Sequence, residues 1–308
     1  MQKKSQDMKK QAIVVIDSIH ELQRFSEFFE MGLGQYIFRG QKRSAWNILT
    51  SLERHEEGEK CKYWGSNTGQ KPGGIHLTRY LAATGCSNEY EEILRFSDTW
   101  EKDYGVRLDD LTSAALRRHF GCPSRLLDVS KSFDVALYFA YEGKNTKEDS
   151  AIWAICVDQI SGRAERIFSM AKERFGDVDW ENRLVKELLC SEKFYEKMPF
   201  VLPVGAMNHV PWMIAQKGMF LMPLSKCFMQ SLAYTLSGHP ALQVATMSAE
   251  QFLNGDQENF PLVKFVLSHQ IDNEVGDLLS EKNLTKKRIF PDEKPIWVDH
   301  LKLKVTFQ

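Results

Sequence analysis

The sequence predicts a single α+β domain built around a core sheet, and three observations support this fold class. Short, strand-like apolar runs alternate with amphipathic helical patterns along the whole chain. No internal repeat or linker rich in proline, glycine and serine divides the 308 residues, a length that suits one large domain. The hydrophobic fraction of 43% is sufficient for an ordinary core.

The N-terminal elements are a strand, a capped helix and a second strand. Residues 12–16 form an apolar run of strand type. Ser18 precedes a helical pattern, and Glu21 lies three residues further on, so the two predict a capping box. A strand over 36–38 follows the glycines that end this helix. Residues 56–75 are polar and rich in glycine, which predicts a long loop.

The middle of the chain is marked by clear helix boundaries. Gly121 and Pro123 stop one helical pattern, because glycine favours the C-terminal cap and proline cannot continue a helix. Ser132 caps the next helix and places Asp134 in its first turn, where a negative charge is favourable. These signals predict helices over 89–103 and 111–120, a helix after Ser132, a buried strand over 151–157, and a loop followed by a helix over 158–196.

The C-terminal third continues the alternation of strands and helices. Ser248 precedes a short apolar pattern and is expected to cap it. The remaining elements are predicted strands over 218–222, 242–247 and 262–267, helices over 248–253 and 271–279, and a turn over 288–292.

Charge and cysteine content limit the function classes. Lysine and arginine number 40 and aspartate and glutamate 41, so the net charge of −1 gives no case for bulk binding to nucleic acid or membranes, although a local basic groove stays open. The six cysteines are widely spaced and form no C-x-x-C pair, which favours reduced thiols in a cytoplasmic protein and predicts no metal site. The apolar runs are too short for a signal sequence or a membrane span.

The first candidate site follows the second strand. Arg39 ends this strand and offers a planar fork of donors that suits phosphate or carboxylate, while Gly40 would let a ligand approach the backbone. The alternative is an exposed arginine beside a turn glycine. Trp46 and Tyr36 nearby either stack on a base or belong to the core.

The second candidate site is the polar block between two predicted helices. His119, Arg125 and Asp128 are surrounded by apolar residues, and buried charges are costly unless they are paired or used. They either line a cleft or, for Arg125 and Asp128, form one buried structural pair. Gln216, which precedes the strand at Gly218, is a weaker candidate because it also fits a surface turn.

These segments, in this order, resemble the FRG domain family, which takes its name from a Phe-Arg-Gly triplet. The triplet is Phe38-Arg39-Gly40, followed by Gln41. The block over 118–140 is similar to the central signature of the family, and Gln216-x-Gly218-x-Phe220 is similar to its Gln-x-Gly-x-Phe element. Residues 282–292 resemble its closing helix and Phe-Pro-Asp turn. The resemblance implies an extension over 1–17, the FRG domain over 18–300 and a tail over 301–308.

The motif order also resembles that of ADP-ribosyltransferases, which implies a split, mixed β-sheet flanked by helices. By this resemblance Arg39 would hold the phosphates of NAD, Gly40 would present its backbone to the nicotinamide amide, and Gln41, Ser130 and Ser132 would complete the cofactor-binding set. The implied function is an NAD-using ADP-ribosyltransferase-like enzyme, acting as a bacterial toxin or phage-defence effector on a macromolecular acceptor of unknown type, with no membrane partner.

One departure from this pattern leaves two functions open. The transferases carry a catalytic glutamate where this chain has Gln216, and an amide cannot supply the negative charge that stabilises an oxocarbenium-like transition state. Either Asp128 or another carboxylate takes this role, with His119 orienting it and Arg125 in the same block, or the protein is a non-catalytic module that binds a nucleotide or a protein. A nuclease has little support, because the block lacks a metal-binding set of carboxylates.

Overall fold

The computed structural model describes residues 10–32, 36–54, 86–119, 122–144, 147–190, 200–205, 211–224, 227–255 and 257–291. Its strands are β1 (Lys10–Ile16), β2 (Tyr36–Gln41), β3 (Leu127–Ser130), β4 (Ser150–Cys156), β5 (Val201–Val204), β6 (Gly218–Pro223), β7 (Gln243–Met247) and β8 (Leu262–Leu267). The predicted loop over 56–75 lies outside the described residues.

The helices alternate with these strands along the chain, as the sequence predicted for an α+β fold. They are α1 (Ile19–Glu30), α2 (Cys86–Tyr104), α3 (Asp110–His119), α4 (Phe133–Tyr141), α5 (Val157–Phe175), α6 (Trp180–Cys190), α7 (Pro211–Ala215), α8 (Phe228–Ser237), α9 (Ala249–Leu253), α10 (Asp272–Glu281) and α11 (Lys286–Ile289). Two short 3₁₀ turns cover Gln257–Asn259 and His269–Ile271.

The strands form one mixed sheet in the order β5-β6-β3-β2-β4-β8-β1-β7. β1 is parallel to β7 and β8, and the other neighbours are antiparallel. β2 pairs with β4 along six residues, whereas its register with β3 joins only Phe38 to Ser130. The sheet is therefore continuous, but the pairing between β2 and β3 is much shorter than the pairing between β2 and β4.

Local signals explain where several helices begin. Ser132 Oγ accepts a hydrogen bond from Val135 N (3.5 Å), which confirms the predicted cap of α4. Ser18 Oγ accepts from Glu21 N (3.3 Å), which confirms the cap of α1, but the predicted capping box is incomplete because the described contacts include no return bond from the Glu21 side chain. A complete capping box, with both reciprocal bonds, forms at Ser248 at the start of α9.

Two predicted boundaries are wrong. The segment after β4 has no loop, because α5 begins directly at Val157 and buries an apolar stripe against its neighbours. The predicted turn over 288–292 begins inside α11, whose N-cap is Thr285. Thr285 Oγ1 accepts from Arg288 N (3.4 Å), and this bond starts the short helix before the turn.

Helix α4 packs closely against β2, and this packing depends on Gly40. A Cβ atom added to Gly40 would overlap the carbonyl oxygen of Ala136 and the amide nitrogen of Ala140. Both alanines are buried, so small residues on the helix and a glycine on the strand bring the two backbones together. Helix α4 is thereby fixed at the junction of β2 and β3.

Candidate functional site

A cavity of about 910 Å³ opens beside the junction of β2 and β3. This volume is at the upper end of the usual range for ligand pockets, roughly 300–1,000 Å³. Its wall combines residues of the strands, the segment after β2, residues of α3, α4 and α7, and the residue that follows α11. The lining residues are Phe38, Arg39, Gly40, Gln41, Lys42, Ala45, Trp46, Asn47, Leu49, Arg54, Arg118, Asp128, Val129, Ser130, Ala136, Phe139, Trp212, Met213, Gln216, Phe220 and Phe290.

The structure brings most of the predicted site residues to this cavity. They come from three distant parts of the chain: Arg39, Gly40 and Gln41 from β2, Asp128 and Ser130 from β3, and Gln216 from the turn before β6. Ser132 caps α4 and is absent from the described lining. Arg125 is also absent from it, and the side chain of His119 lies outside what the structure describes.

Arg39 and Arg118 share the carboxylate of Asp128. Arg39 Nη1 donates to the backbone carbonyl oxygen of Asp128 at 2.5 Å and lies 4.0 Å from its Oδ2 atom. Arg118 Nε donates to the same Oδ2 atom at 2.9 Å, and its Nη2 atom also contacts it. The side chains of Arg39 and Arg118 are 17% and 16% exposed, so both guanidinium groups are largely withdrawn from water.

The electrostatic environment favours an anionic ligand. Burial lowers the pKa of Arg39 to about 10, with Asp128 acting in the opposite direction and Arg54 and Arg118 adding to the decrease. Burial and the charge of Arg118 also lower the pKa of Arg54. Arg39 stays protonated at neutral pH, and its Nε atom is buried with no hydrogen-bond partner among the described residues. Added negative charge would relieve these costs.

The neutral polar residues of the cavity are held by structural hydrogen bonds. Gln41 donates to the carbonyl oxygen of Asn47 (3.0 Å) and accepts from Trp153 Nε1 (2.8 Å). Ser130 Oγ donates to the carbonyl oxygen of Gln216 (2.7 Å) and accepts from Ser132 N (3.0 Å). These bonds fix the backbone around the cavity, so the two side chains position the site.

Gln216 and Gly40 also have structural roles. The side-chain amide of Gln216 donates to the carbonyl oxygen of Ile289 (3.3 Å), which ties the end of α7 to α11. The space beside the α-carbon of Gly40, where a side chain would lie, is filled by α4, while the residue also lines the cavity. Its small size serves helix packing.

The hypothesis that Arg125 pairs with Asp128 is wrong. Arg125 Nε donates to Glu89 Oε2 at 2.6 Å, and the backbone amide of Arg125 donates to Glu89 Oε1 at 3.0 Å. The two side chains are 11% and 6% exposed. Arg125 therefore faces helix α2, and Arg118 from the last turn of α3 takes the position beside Asp128.

Aromatic rings supply flat apolar surface to the cavity. Phe290 contacts Trp212 (6.2 Å between ring centroids) and Phe139 (5.9 Å), and these three residues come from separate helical regions. Trp46, in the segment after β2, is 47% exposed, with the guanidinium of Arg43 5.6 Å from its ring centroid. Tyr36 is buried and donates to the carbonyl oxygen of Phe260 (3.0 Å), so it belongs to the core.

Sequence reasoning missed three cationic residues of the cavity lining, which are Lys42, Arg54 and Arg118. Arg118 lies in the last turn of a helix, where cations complement the helix dipole, so its position alone does not indicate a ligand site. Arg54 lies next to a predicted loop and carried no signal. The apolar surround of Arg118 was the available clue, since the residues before it in α3 are buried.

Comparison with known families assigns the part of the chain that builds most of this site. The family model of the FRG domain matches residues 34–149. The chain contains an FRG domain. Arg39, Arg54, Arg118 and Asp128 all lie within the match, while Gln216 and the rings of Trp212 and Phe290 follow it. No curated protein and no solved structure shows significant similarity to the chain.

Among the residues described above, no group of three histidine, cysteine, aspartate or glutamate side chains is arranged to hold a metal ion. No helix in the described part of the chain is long and apolar enough to cross a membrane.

Proposed function

We propose that this FRG-domain protein binds a nicotinamide dinucleotide of the NAD type in the cavity and acts on it as an ADP-ribosyltransferase-like enzyme. The observation that carries the proposal is the convergence of Arg39, Arg118 and Asp128 on one cavity. Arg39 comes from β2, and Asp128 follows it by 89 residues in the chain. Its acceptor would be a macromolecule, and a toxin or phage-defence role would follow from modifying it.

The arginine arrangement supports binding of a pyrophosphate. A guanidinium presents donors in a planar fork that matches phosphate oxygens. Arg39 is held in place by the carbonyl oxygen of Asp128, and its buried Nε atom remains as a donor. A phosphate beside Arg39 would also reduce the repulsion from Arg54 and Arg118.

The aromatic surfaces support a ligand with planar rings. Trp212, Phe290 and Phe139 form one surface, and Trp46 supplies a second from a different part of the chain. A dinucleotide carries two planar rings with phosphates between them, which agrees with a lining that contains both aromatic and cationic residues. Stacking on each ring contributes roughly 1–3 kcal/mol in nucleotide-binding proteins.

The placement of the three motifs supports the comparison with transferases. Arg39 lies on β2, and the neighbouring β3 ends at Ser130 and leads through Ser132 into α4. Gln216 directly precedes β6, which pairs with β3. The arginine, serine and glutamine segments thus belong to three adjacent strands, the order that the resemblance implies.

The chemistry requires a carboxylate near the reacting ribose. In the proposed transfer the bond from the ribose carbon to the nicotinamide nitrogen breaks, and nicotinamide leaves with the bonding electrons. An acceptor nucleophile then forms a bond to the same carbon and loses a proton. Within the described lining, Asp128 is the carboxylate that could stabilise the positive charge developing on the ribose.

The contacts of Asp128 also favour a second candidate function, a module that binds a nucleotide without consuming it. Arg118 and Arg39 already offset the charge of this carboxylate, and the amide of Gln216 is bonded to Ile289. An offset carboxylate stabilises a nearby cation less than a free one. This candidate predicts binding of NAD without release of nicotinamide.

Arg39→Ala tests the binding proposal. We expect the dissociation constant for NAD, measured by calorimetry, to rise about 10- to 100-fold, since a charge-assisted hydrogen bond contributes about 1.5–3 kcal/mol. Arg39→Lys should give an intermediate value, because it keeps the charge and loses the fork. Arg95→Ala, on an exposed arginine of α2 that pairs with Glu92, is the matched control and should bind like the parent protein.

Nicotinamide release, measured on the same proteins, separates the two candidates. Release by the parent protein that is lost in Arg39→Ala supports the transferase. Binding without release, with every class of acceptor supplied, supports the binding module. Unchanged binding of NAD in folded Arg39→Ala would contradict both.

A further inference from the structure

The cavity carries more positive charge than NAD requires. Its described lining includes four cationic side chains (Arg39, Lys42, Arg54 and Arg118) and one carboxylate, that of Asp128, which leaves an excess of three positive charges. The two phosphates of NAD are negative, but its nicotinamide ring is positive and offsets part of that charge. Bound NAD would therefore leave part of the positive charge of the cavity unmatched.

Arg54 belongs to this excess and forms no ion pair with a described residue, although the more distant charges of Asp128 and Glu53 partly offset its own. Its Nη1 atom donates to the carbonyl oxygen of Leu49 (2.7 Å), which holds the side chain in position. In the portion of the chain that the structure describes, no carboxylate lies within ion-pair distance of Arg54. Arg118, by contrast, is paired with Asp128. The guanidinium groups of Arg54 and Arg118 repel each other, and this repulsion is one cause of the lowered pKa of Arg54.

We propose that Arg54 and Arg118 form a subsite for a phosphate monoester carried by the nucleotide, in addition to the pyrophosphate at Arg39. The inference rests on the proposed function and specifies its ligand: a dinucleotide with a further phosphate, as in NADP, is preferred over NAD. A phosphate monoester carries about −1.5 to −2 charges at pH 7, which matches the unpaired excess. Two guanidinium forks can bind its oxygens together.

A comparison of NADP and NAD binding tests the subsite in the full-length protein. We expect NADP to bind at least about tenfold more tightly, because the additional phosphate gains charge-assisted hydrogen bonds. The preference should weaken as the pH falls from 7.5 to 5.5, since the phosphate takes up its second proton near pH 6 while the arginines stay charged. A comparison of the affinities of ADP and ADP-ribose tests whether the terminal phosphate of ADP enters the same subsite.

Arg54→Gln identifies the residue responsible. The amide can still donate to the carbonyl oxygen of Leu49, so the local backbone should be retained, but the charge is lost. We expect NADP affinity to fall about tenfold, to near that of NAD, and NAD affinity to change little. Arg54→Lys should keep part of the preference. Arg95→Gln, on the exposed face of α2, is the control and should keep all of it.

The outcomes separate this inference from the function on which it rests. If NAD binds and NADP binds no more tightly, the subsite is wrong and the proposed function stands. A preference for NADP that survives Arg54→Gln would overturn the assignment to Arg54. If neither dinucleotide binds, the proposed function is wrong and the subsite is wrong with it.

Discussion

Asp128 holds two guanidinium groups of the cavity in place, and this makes it the residue whose replacement is most informative. Its Oδ2 atom accepts from Arg118 Nε, and its backbone carbonyl oxygen accepts from Arg39 Nη1. The side chain is 42% exposed, so it is accessible to a ligand as well as to the arginines. The same carboxylate thus orients the arginines and lowers the positive charge that they present.

Asp128→Asn should tighten the binding of NAD. The substitution removes one negative charge from the cavity, and the amide oxygen can still accept from Arg118. Asp128 is partly exposed, and in water one charge about 4 Å from a phosphate is worth about 1 kcal/mol, so we expect affinity to rise about 3- to 10-fold in calorimetry. Nicotinamide release should fall about 10²- to 10³-fold if Asp128 stabilises the transition state.

The opposite result for binding would change the role of Asp128. Weaker binding of NAD by folded Asp128→Asn would show that the carboxylate contacts the ligand directly, for example a ribose hydroxyl. Ser51→Ala is a suitable comparison, because Ser51 bonds to the backbone of Ser124 outside the cavity lining and carries no charge.

At the scale of elements, the close contact of α4 with β2 sets the geometry of the cavity wall. Gly40→Ala should destabilise the protein by about 1–3 kcal/mol, because the new methyl group would meet the backbone of Ala136 and Ala140 rather than a flexible side chain. Urea unfolding gives the free energy of unfolding directly. Binding of NAD should weaken as well, because Arg39 is the preceding residue on β2.

A matched control exists on another helix. Gly162, within α5, has open space around its α-carbon, so Gly162→Ala should stabilise the protein by about 0.4–1 kcal/mol. Equal effects of the two substitutions on unfolding would show that the approach of α4 to β2 does not depend on a glycine.

The elements that the sequence predicted correctly are those with local signals. Ser18, Ser132 and Ser248 each accept a backbone hydrogen bond at the start of a predicted helix. Strand β4 is buried along almost its whole length, whereas in β1 and β8 buried apolar residues alternate with more exposed ones over part of the strand. In each case the decisive signal is a cap within a few residues or an apolar run of strand type, so the pattern is visible without tertiary structure.

Two missed elements show where such patterns fail. Strand β5 is only four residues long and contains Pro203, which is unusual in a strand and is accommodated here at the edge of the sheet. Helix α8 buries Ser231 and Thr235 on its inner face, so polar residues interrupt its apolar stripe. Thr235 donates to the carbonyl oxygen of Ser231 and accepts from Val201 N, a tertiary bond that no local pattern reveals.

The same limit explains the partial prediction of the site. The resemblance implied that Arg39, Asp128 and Gln216 belong to one site, and the three residues line the same cavity. The partner of Asp128 was not predictable, because sequence does not tell which of two arginines, Arg118 or Arg125, points toward it. That choice depends on Glu89, 36 residues before Arg125, which binds this arginine from helix α2.

At the scale of the whole molecule, Arg125 and Glu89 connect the helical layer to the sheet. Glu89 lies near the start of α2, which packs with α3 and α6, and Arg125 lies in the turn that enters β3. Both charges are buried, and removing Arg125 takes away the cation with which Glu89 pairs. The pair therefore holds the segment before Asp128, so its loss should reach the cavity as well as the core.

Arg125→Met should destabilise the protein by about 3–5 kcal/mol, because it leaves the carboxylate of Glu89 buried without a cation. The double variant Arg125→Met, Glu89→Leu removes both charges and should recover most of this loss, since apolar residues can replace a buried pair at little cost. Urea unfolding of the parent, both single variants and the double variant gives the coupling energy. If the destabilisation of the double variant equals the sum of those of its single variants, the two side chains act independently.

The affinity of the double variant for NAD then shows how far the Arg125–Glu89 pair matters to the site. An affinity near that of the parent protein means that the turn before β3 holds Asp128 in place without this ion pair.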